Sequence, residues 1–298
     1  MKFIEVGGAR VSVIGLGTWQ FGSREWGYGA QYANEVAGAI ARRALELGVN
    51  LIDTAEVYGL GRSERIVGEA IRGRRESVFL ATKIFPIGLP FMIGRRARAS
   101  ARRLGVDHID LYQQHWPNPL FPPRSTMPRM RQLVEDGLVK HVGVSNFTLR
   151  GWLDAEQSLG GPVLSNQVRF SLVHREPERD LVPWAQENGR IVIAYSPLGQ
   201  GLLSGKYQQT TPTNLRRARR EFTAESRARL EPLIAALRDI AGRHGATPAQ
   251  VSLAWLIRKP NVVAIPGASS VKQLEENVAA SEVELTDEEE ARLDSLSA

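Results

Sequence analysis

Four residues of reactive type fall at or just beyond the ends of short apolar runs: Asp53, Tyr58, Lys83 and His115. Together they make a proton-transfer device. A phenol with an ordinary pKa of about 10 is a weak acid at neutral pH. A neighbouring ammonium stabilises the phenolate and lowers that pKa. Lys83 can be that ammonium, and Asp53 the counter-charge that keeps a partly buried lysine ionised. His115 can donate a hydrogen bond that polarises and orients a carbonyl oxygen. The set suits protonation of an alkoxide as hydride reaches a carbonyl carbon. Singly, each residue has a plainer use: a turn, packing, a surface charge, a structural hydrogen bond. Four compatible types at successive run ends favour chemistry.

The runs that must position them are Asn50–Asp53, Val78–Lys83, Ile109–His115, His141–Asn146, Val163–Gln167, Ile191–Tyr195 and Val262–Gly267, with Ile14–Trp19 ahead of them. Each reads as a buried strand. Helical spacing of apolar residues, as in Val36, Ile40, Ala44 and Leu47, marks Glu35–Leu47, Glu64–Arg72, Phe91–Leu104, Met127–Asp136, Leu149–Leu159, Glu178–Glu187, Pro248–Ile257 and Val271–Ala280. Gly48, Gly105, Gly137, Gly160 and Gly189 sit just past helices, where a left-handed cap is expected. Eight strands, each followed by a helix, predict the α/β class and a (β/α)8 TIM barrel, with every strand's C-terminal end on the active-site face. Lys2–Val6 and Arg10–Val13 read as a β-hairpin ahead of it. Glu225–Arg243 and a tail opened by a capping box at Thr286 read as extra C-terminal helices. Residues 1–298 are expected to form a single barrel domain. Two long segments, Phe21–Ala33 and Gly199–Phe222, interrupt the rhythm on the active-site face, where loops of that length are usually functional.

Composition narrows the classes. The 298 residues are 43% hydrophobic, enough for a packed core, and contain no cysteine. That excludes disulfides, thiolate chemistry and cysteine-bound zinc, and fits a reducing compartment. The N-terminus lacks the apolar stretch of a secretory signal, and no run reaches the roughly 18 apolar residues of a membrane helix. A cytoplasmic protein is expected. The net charge of +6 raises nucleic-acid binding as a reading. Arg95-Arg96-Ala-Arg98 and Arg102-Arg103 read more simply as solvated helix faces, so no nucleic-acid partner is expected. The five histidines are scattered, so no metal site is expected. Gly199-Gln-Gly201-Leu-Leu-Ser-Gly205 resembles a dinucleotide fingerprint with one residue too many, and the polar Lys206–Asn214 with Pro212 cannot open the helix that motif needs.

The motifs themselves are more specific. Asp53-Thr-Ala-Glu-Val-Tyr58-Gly, Ala81-Thr-Lys83, Asp110-Leu-Tyr-Gln-Gln-His115, Gly143-Val-Ser-Asn146-Phe, the stretch Tyr195–Lys206 and Ile265-Pro-Gly-Ala-Ser-Ser-Val-Lys-Gln-Leu-Glu-Glu-Asn277 occur in the order seen in aldo-keto reductases. From about Val11 to Ala280 the chain resembles that family. The resemblance implies NAD(P)H-dependent carbonyl reduction, with Asp53, Tyr58, Lys83 and His115 as the catalytic tetrad and Tyr58 as general acid. It implies Tyr195 stacked on the nicotinamide, Ser145, Asn146 and Gln167 on its carboxamide, and Thr18 and Trp19 closing the site. Ser196, Leu198, Gly199, Gln200 and Gly201 would follow the ribose and pyrophosphate. Gly267, Ser269, Gln273, Glu276 and Asn277 would hold the adenosine end, where a helix N-terminus favours phosphate.

Members that prefer NADPH often carry a basic residue where this chain has Ser269, followed by Ser270. Lys206, Arg216 and Lys272 are then the cations expected to reach a 2′-phosphate, arginine having the fork geometry for it. NADPH is the expected cofactor, with NADH as the alternative, and a small carbonyl compound the expected partner. Trp19, Trp26, Tyr28, Phe85, Trp116 and Phe121 point to aromatic or apolar aldehydes and ketones. The rival function is a non-catalytic, NADPH-binding redox sensor that regulates another protein, which would bind the dinucleotide yet oxidise it very slowly.

Overall fold

A computed structural model describes residues 1–21, 35–205 and 220–297. It begins with an antiparallel hairpin, β1 (Phe3–Val6) and β2 (Ala9–Ser12). The eight barrel strands follow: β3 (Leu16–Gly17), β4 (Leu51–Asp53), β5 (Phe79–Ile84), β6 (Ile109–Gln114), β7 (Val139–Ser145), β8 (Ser165–Arg169), β9 (Ile191–Tyr195) and β10 (Val262–Ala264), all parallel and paired in chain order. Gly15 N donates to Ala264 O at 2.8 Å and Ala264 N to Val13 O at 2.9 Å, so the last strand meets the first and the sheet closes. Closure needs glycine at position 17, where a Cβ would lie 2.6 Å from Ile265 O. This is the (β/α)8 barrel, with a strand period of two and a helix period of 3.6 sorting the side chains.

The outer helices are α1 (Ala37–Glu46), α2 (Arg62–Ala70), α3 (Ile93–Leu104), α4 (Pro123–Glu135), α5 (Leu149–Leu159), α6 (Leu181–Glu187), α7 (Ala224–His244), α8 (Pro248–Ile257), α9 (Val271–Ala279) and α10 (Asp287–Ser297). The segment expected as one helix over Glu178–Glu187 is split into a 3-10 turn at Glu176–Glu178 and α6. The glycines expected as caps all have positive φ. Thr286 and Glu289 exchange backbone and side-chain bonds, the capping box that opens α10.

Alternation divides the core in two. Leu80, Val192 and Ala194 face outward to helices such as α5, whose Trp152 is fully buried. Phe79, Ala81, Leu111, Ile191, Ile193 and Val263 fill the barrel, joined below by Val6, Ala9 and Val11 of the hairpin. Each valine, leucine, isoleucine or phenylalanine among them contributes about 1.5–3 kcal/mol on full burial. No helix among the described residues is long and apolar enough to cross a membrane.

The arginine runs are not simply solvated. Arg96 pairs with Glu56, and Arg103 Nε bonds the fully buried Glu64 at 2.5 Å. Glu64 also accepts from Thr82 Oγ1 at 2.7 Å, and its neighbour Ser63 bonds Thr18 Oγ1 and Thr54 Oγ1. The first turn of α2 thereby ties together the upper ends of β3, β4 and β5.

Candidate active site

Asp53 is the last residue of β4, and Tyr58 lies on the turn that follows; Lys83 is near the end of β5, and His115 follows β6. The parallel topology brings all four to the C-terminal face. Lys83 is fully buried, and its ammonium makes three bonds: to Asp53 Oδ1 at 2.5 Å, to Thr54 O at 2.9 Å and to the Tyr58 hydroxyl oxygen at 3.3 Å. All three of its protons are thus directed. Because Tyr58 accepts from Lys83, its own O–H is left to point elsewhere. The His115 ring stands edge-on to Tyr58, centroids 5.8 Å apart, and edge-on to Phe85 at 5.7 Å.

Burial disfavours charge on Lys83, but Asp53 and Tyr58 together outweigh it and hold the ammonium above its ordinary pKa. Burial also raises the Tyr58 phenol, and the opposing pull of Lys83 does not reverse that rise. The lowered phenol expected from the sequence is therefore not what the fold produces: Tyr58 keeps its proton firmly at neutral pH. Burial, with the Lys83 charge adding to it, lowers His115 to about 3. Its imidazole is neutral, and Nδ1 is buried with no partner among the described residues.

Two amides brace the other side of Asp53. Gln167 Nε2 donates to Oδ2 at 2.9 Å and Gln113 Nε2 at 3.2 Å. Gln167 was expected near a carboxamide; Gln113 is a residue the motif reading missed. The signal was available: alternation along β6 puts Gln113 on the same inward face as Leu111, and register sets it beside Lys83. Room for it comes from Gly143, where a Cβ would lie 2.9 Å from Gln113 Cγ and 2.5 Å from Ser165 Oγ.

The second half of the mouth is polar. Tyr195 OH donates to Asn146 Oδ1 at 2.9 Å, Asn146 Nδ2 to Ser145 Oγ at 3.0 Å, and Ser145 Oγ to Gln167 O at 2.9 Å. This chain links β7, β8 and β9 to Asp53 through Gln167. The Thr18 hydroxyl is buried and donates to the Asp53 main-chain carbonyl at 2.8 Å. Trp19 is exposed beside it.

Ser196, Leu198, Gly199, Gln200 and Gly201 form one tight turn after β9, with Gly199 N bonded to Ser196 O and Gly201 N to Leu198 O, both at 2.9 Å. Two non-glycine residues there are left-handed, Ser196 at φ 50° and Gln200 at φ 57°. Such strain concentrates at ligand-binding turns. Gln200 Oε1 is buried with no partner among the described residues. After β10, Ser269 N and Oγ both bond Gln273 Oε1, at 2.8 and 2.9 Å, and Asn277 Nδ2 donates to Gly267 O at 3.3 Å. Ser270 caps α9. Glu276 lies half-buried on the same helix. An orphan acceptor, a strained turn and a capped helix N-terminus on adjoining strands fit a dinucleotide. Lys206, Arg216, Trp26 and Tyr28 lie outside the described residues.

A model of the aldo/keto reductase family matches residues 13–298. The chain is 56% identical over 289 residues to an uncharacterised oxidoreductase of Mycobacterium tuberculosis, covering 96% of this chain and 90% of that protein. It is 36% identical to a methylglyoxal reductase of Escherichia coli, over 98% of this chain and 94% of that one. Among solved structures, an aldo-keto reductase from Klebsiella pneumoniae in complex with NADPH superposes with a TM-score of 0.80 at 35% identity, covering 99% of this chain and 94% of the other.

Proposed function

The chain belongs to the aldo/keto reductase family, and from that premise we propose that it reduces aldehydes and ketones with NADPH, Tyr58 acting as general acid. The observation that carries this reading is the Lys83 ammonium bonded at once to Asp53 and to the Tyr58 oxygen. A nicotinamide dinucleotide, when bound, supplies the hydride that reaches the carbonyl carbon. The chain supplies the rest. His115, neutral at the pH of turnover, orients the carbonyl oxygen by hydrogen bonding. The Tyr58 proton passes to that oxygen as the carbonyl π bond breaks, and the alcohol leaves. The phenolate that remains lies next to Lys83, whose charge stabilises it. Asp53, fixed by Gln113, Gln167 and the Thr18 network, keeps that lysine charged and still.

The dinucleotide would be held by Asp53, Ser145, Asn146, Gln167 and Tyr195 at its reacting end. The turn 196–201 would take the pyrophosphate, and Gly267, Ser269, Gln273, Glu276 and Asn277 the adenosine. Complexation of a Klebsiella pneumoniae relative with NADPH supports that form of the cofactor. Lys206, Arg216 and Lys272 remain the proposed contacts to the 2′-phosphate. On this reading residues 1–298 act as one barrel, in the cytoplasm, on a small carbonyl compound rather than nucleic acid.

The test is NADPH and NADH oxidation with a carbonyl panel, for the wild type and Tyr58→Phe. Loss of general acid catalysis costs about 10² to 10⁴ in rate, with NADPH binding retained because the ring stays. Tight NADPH binding without turnover on any carbonyl would instead assign the chain a sensing role.

A further inference from the structure

Five large apolar side chains stand open to solvent on two neighbouring loops of the barrel face: Ile87, Leu89 and Phe91 between β5 and α3, Trp116 and Leu120 between β6 and α4. Phe91 is 68% exposed and Leu120 81%. The loops are fastened together, Asn118 Nδ2 donating to Pro86 O at 2.7 Å. Pro86, Ile87, Leu89 and Phe121 line one small shared cavity of about 30 Å³. Nor is the first loop loose. Arg96 donates to Phe85 O at 2.8 Å and to Ile87 O, while Glu56 pairs with Arg96 and accepts from Phe85 N at 2.7 Å.

This surface is continuous with the site. The first loop starts at Phe85, whose ring packs on His115, and the second starts at His115 itself. The opposite half of the mouth carries the polar set of Ser145, Asn146, Gln167 and Tyr195. Exposed apolar side chains on a fastened frame mark a binding surface, and both loops that carry them begin at residues of the site. We propose that the substrate carries an extended apolar chain, which lies along Ile87, Leu89, Phe91, Trp116 and Leu120 while its carbonyl sits at Tyr58 and His115. The proposal rests on the reductase reading above.

Straight-chain alkanals from propanal to nonanal, at saturating NADPH and below their solubility limits, test it. A fully buried methylene is worth about fourfold in affinity, and one left with a face in water about twofold. The ratio of kcat/KM for nonanal to that for propanal is therefore expected to be on the order of 50. In Phe91→Ser/Leu120→Ser that ratio falls about tenfold; both side chains are exposed, so folding is preserved. A flat or falling profile with propanal still reduced overturns the apolar-chain proposal and leaves the reductase reading standing. No alkanal reduced, with NADPH bound, overturns the apolar-chain proposal, and the reductase reading falls with it only when the whole carbonyl panel is also left unreduced. A flat profile in a dimer that the double variant converts to monomer, read by sedimentation, gives the surface to a second copy of the chain and overturns the proposal.

Discussion

Lys83 and Gln113 are register partners on β5 and β6, and they hold opposite oxygens of one carboxylate, Lys83 on Asp53 Oδ1 at 2.5 Å and Gln113 on Oδ2 at 3.2 Å. The carboxylate is thereby fixed in orientation as well as in charge. Gln113 Oε1, in contrast, is buried with no partner among the described residues. A buried acceptor left unsatisfied costs about 1–3 kcal/mol.

Gln113→Leu removes a charge-assisted bond worth about 1.5–3 kcal/mol and an orphan acceptor of similar cost. Stability should therefore change by less than about 1 kcal/mol. The turnover number should nevertheless fall about tenfold, because Gln167 alone is left on Asp53 Oδ2 and the carboxylate beside Lys83 is less firmly oriented. Urea denaturation beside steady-state kinetics checks this. Unchanged stability with unchanged kcat would remove Gln113 from the positioning of the site.

Lys83→Met leaves Asp53 buried and uncompensated. Breaking a buried pair from one side costs about 3–5 kcal/mol. Removing both charges, in Lys83→Met/Asp53→Asn, should recover most of that stability while recovering none of the activity, since the phenolate would still lack its neighbouring charge. Denaturant midpoints and NADPH oxidation rates for the two variants separate the structural part of the pair from the chemical part.

His115 gives a pH dependence with a definite sign. Its folded pKa is lowered to about 3, against about 6.5 when unfolded. The unfolded chain then binds more protons than the native one between those values, so this contribution to stability is fully present above about pH 6.5 and is lost as pH falls toward 3. The loss amounts to a few kcal/mol. His115→Asn should lose less stability than wild type between pH 7 and pH 4, measured by denaturation at each pH. Activity should show no step near pH 6.5. It should fall only at alkaline pH, as the raised Tyr58 phenol loses its proton.

Much of this was legible beforehand. Short apolar runs and capping glycines identified the strands and most helix ends, since both follow from local preferences; Leu149–Leu159 and Pro248–Ile257 fell on α5 and α8 to the residue. The tetrad was visible because its members sit at strand ends. The family match extends through residue 298, beyond the Ala280 limit of the motif resemblance, because the tail carries no chemical motif. What stayed hidden depends on tertiary placement. The Thr18 hydroxyl bonds the Asp53 main-chain carbonyl, and burial outweighs Lys83 at Tyr58, only because of neighbours distant in sequence. Gln113 required the register between β5 and β6.

The arginine runs show the same limit and allow a sharp contrast between adjacent residues. Arg102 is exposed, whereas Arg103 turns in to Glu64, which is fully buried and also holds Thr82, the residue before Lys83. Arg103→Ala would strand that carboxylate, at a cost of about 3–5 kcal/mol. Arg102→Ala touches nothing comparable and should stay within about 0.5 kcal/mol of wild type. Because Glu64 and Ser63 tie α2 to the upper ends of three strands, Arg103→Ala should also slow NADPH oxidation through Lys83, and Arg102→Ala should not. Paired thermal melts and rates on the two variants decide it. Equal, small effects would return both arginines to the solvated helix face that their sequence suggests.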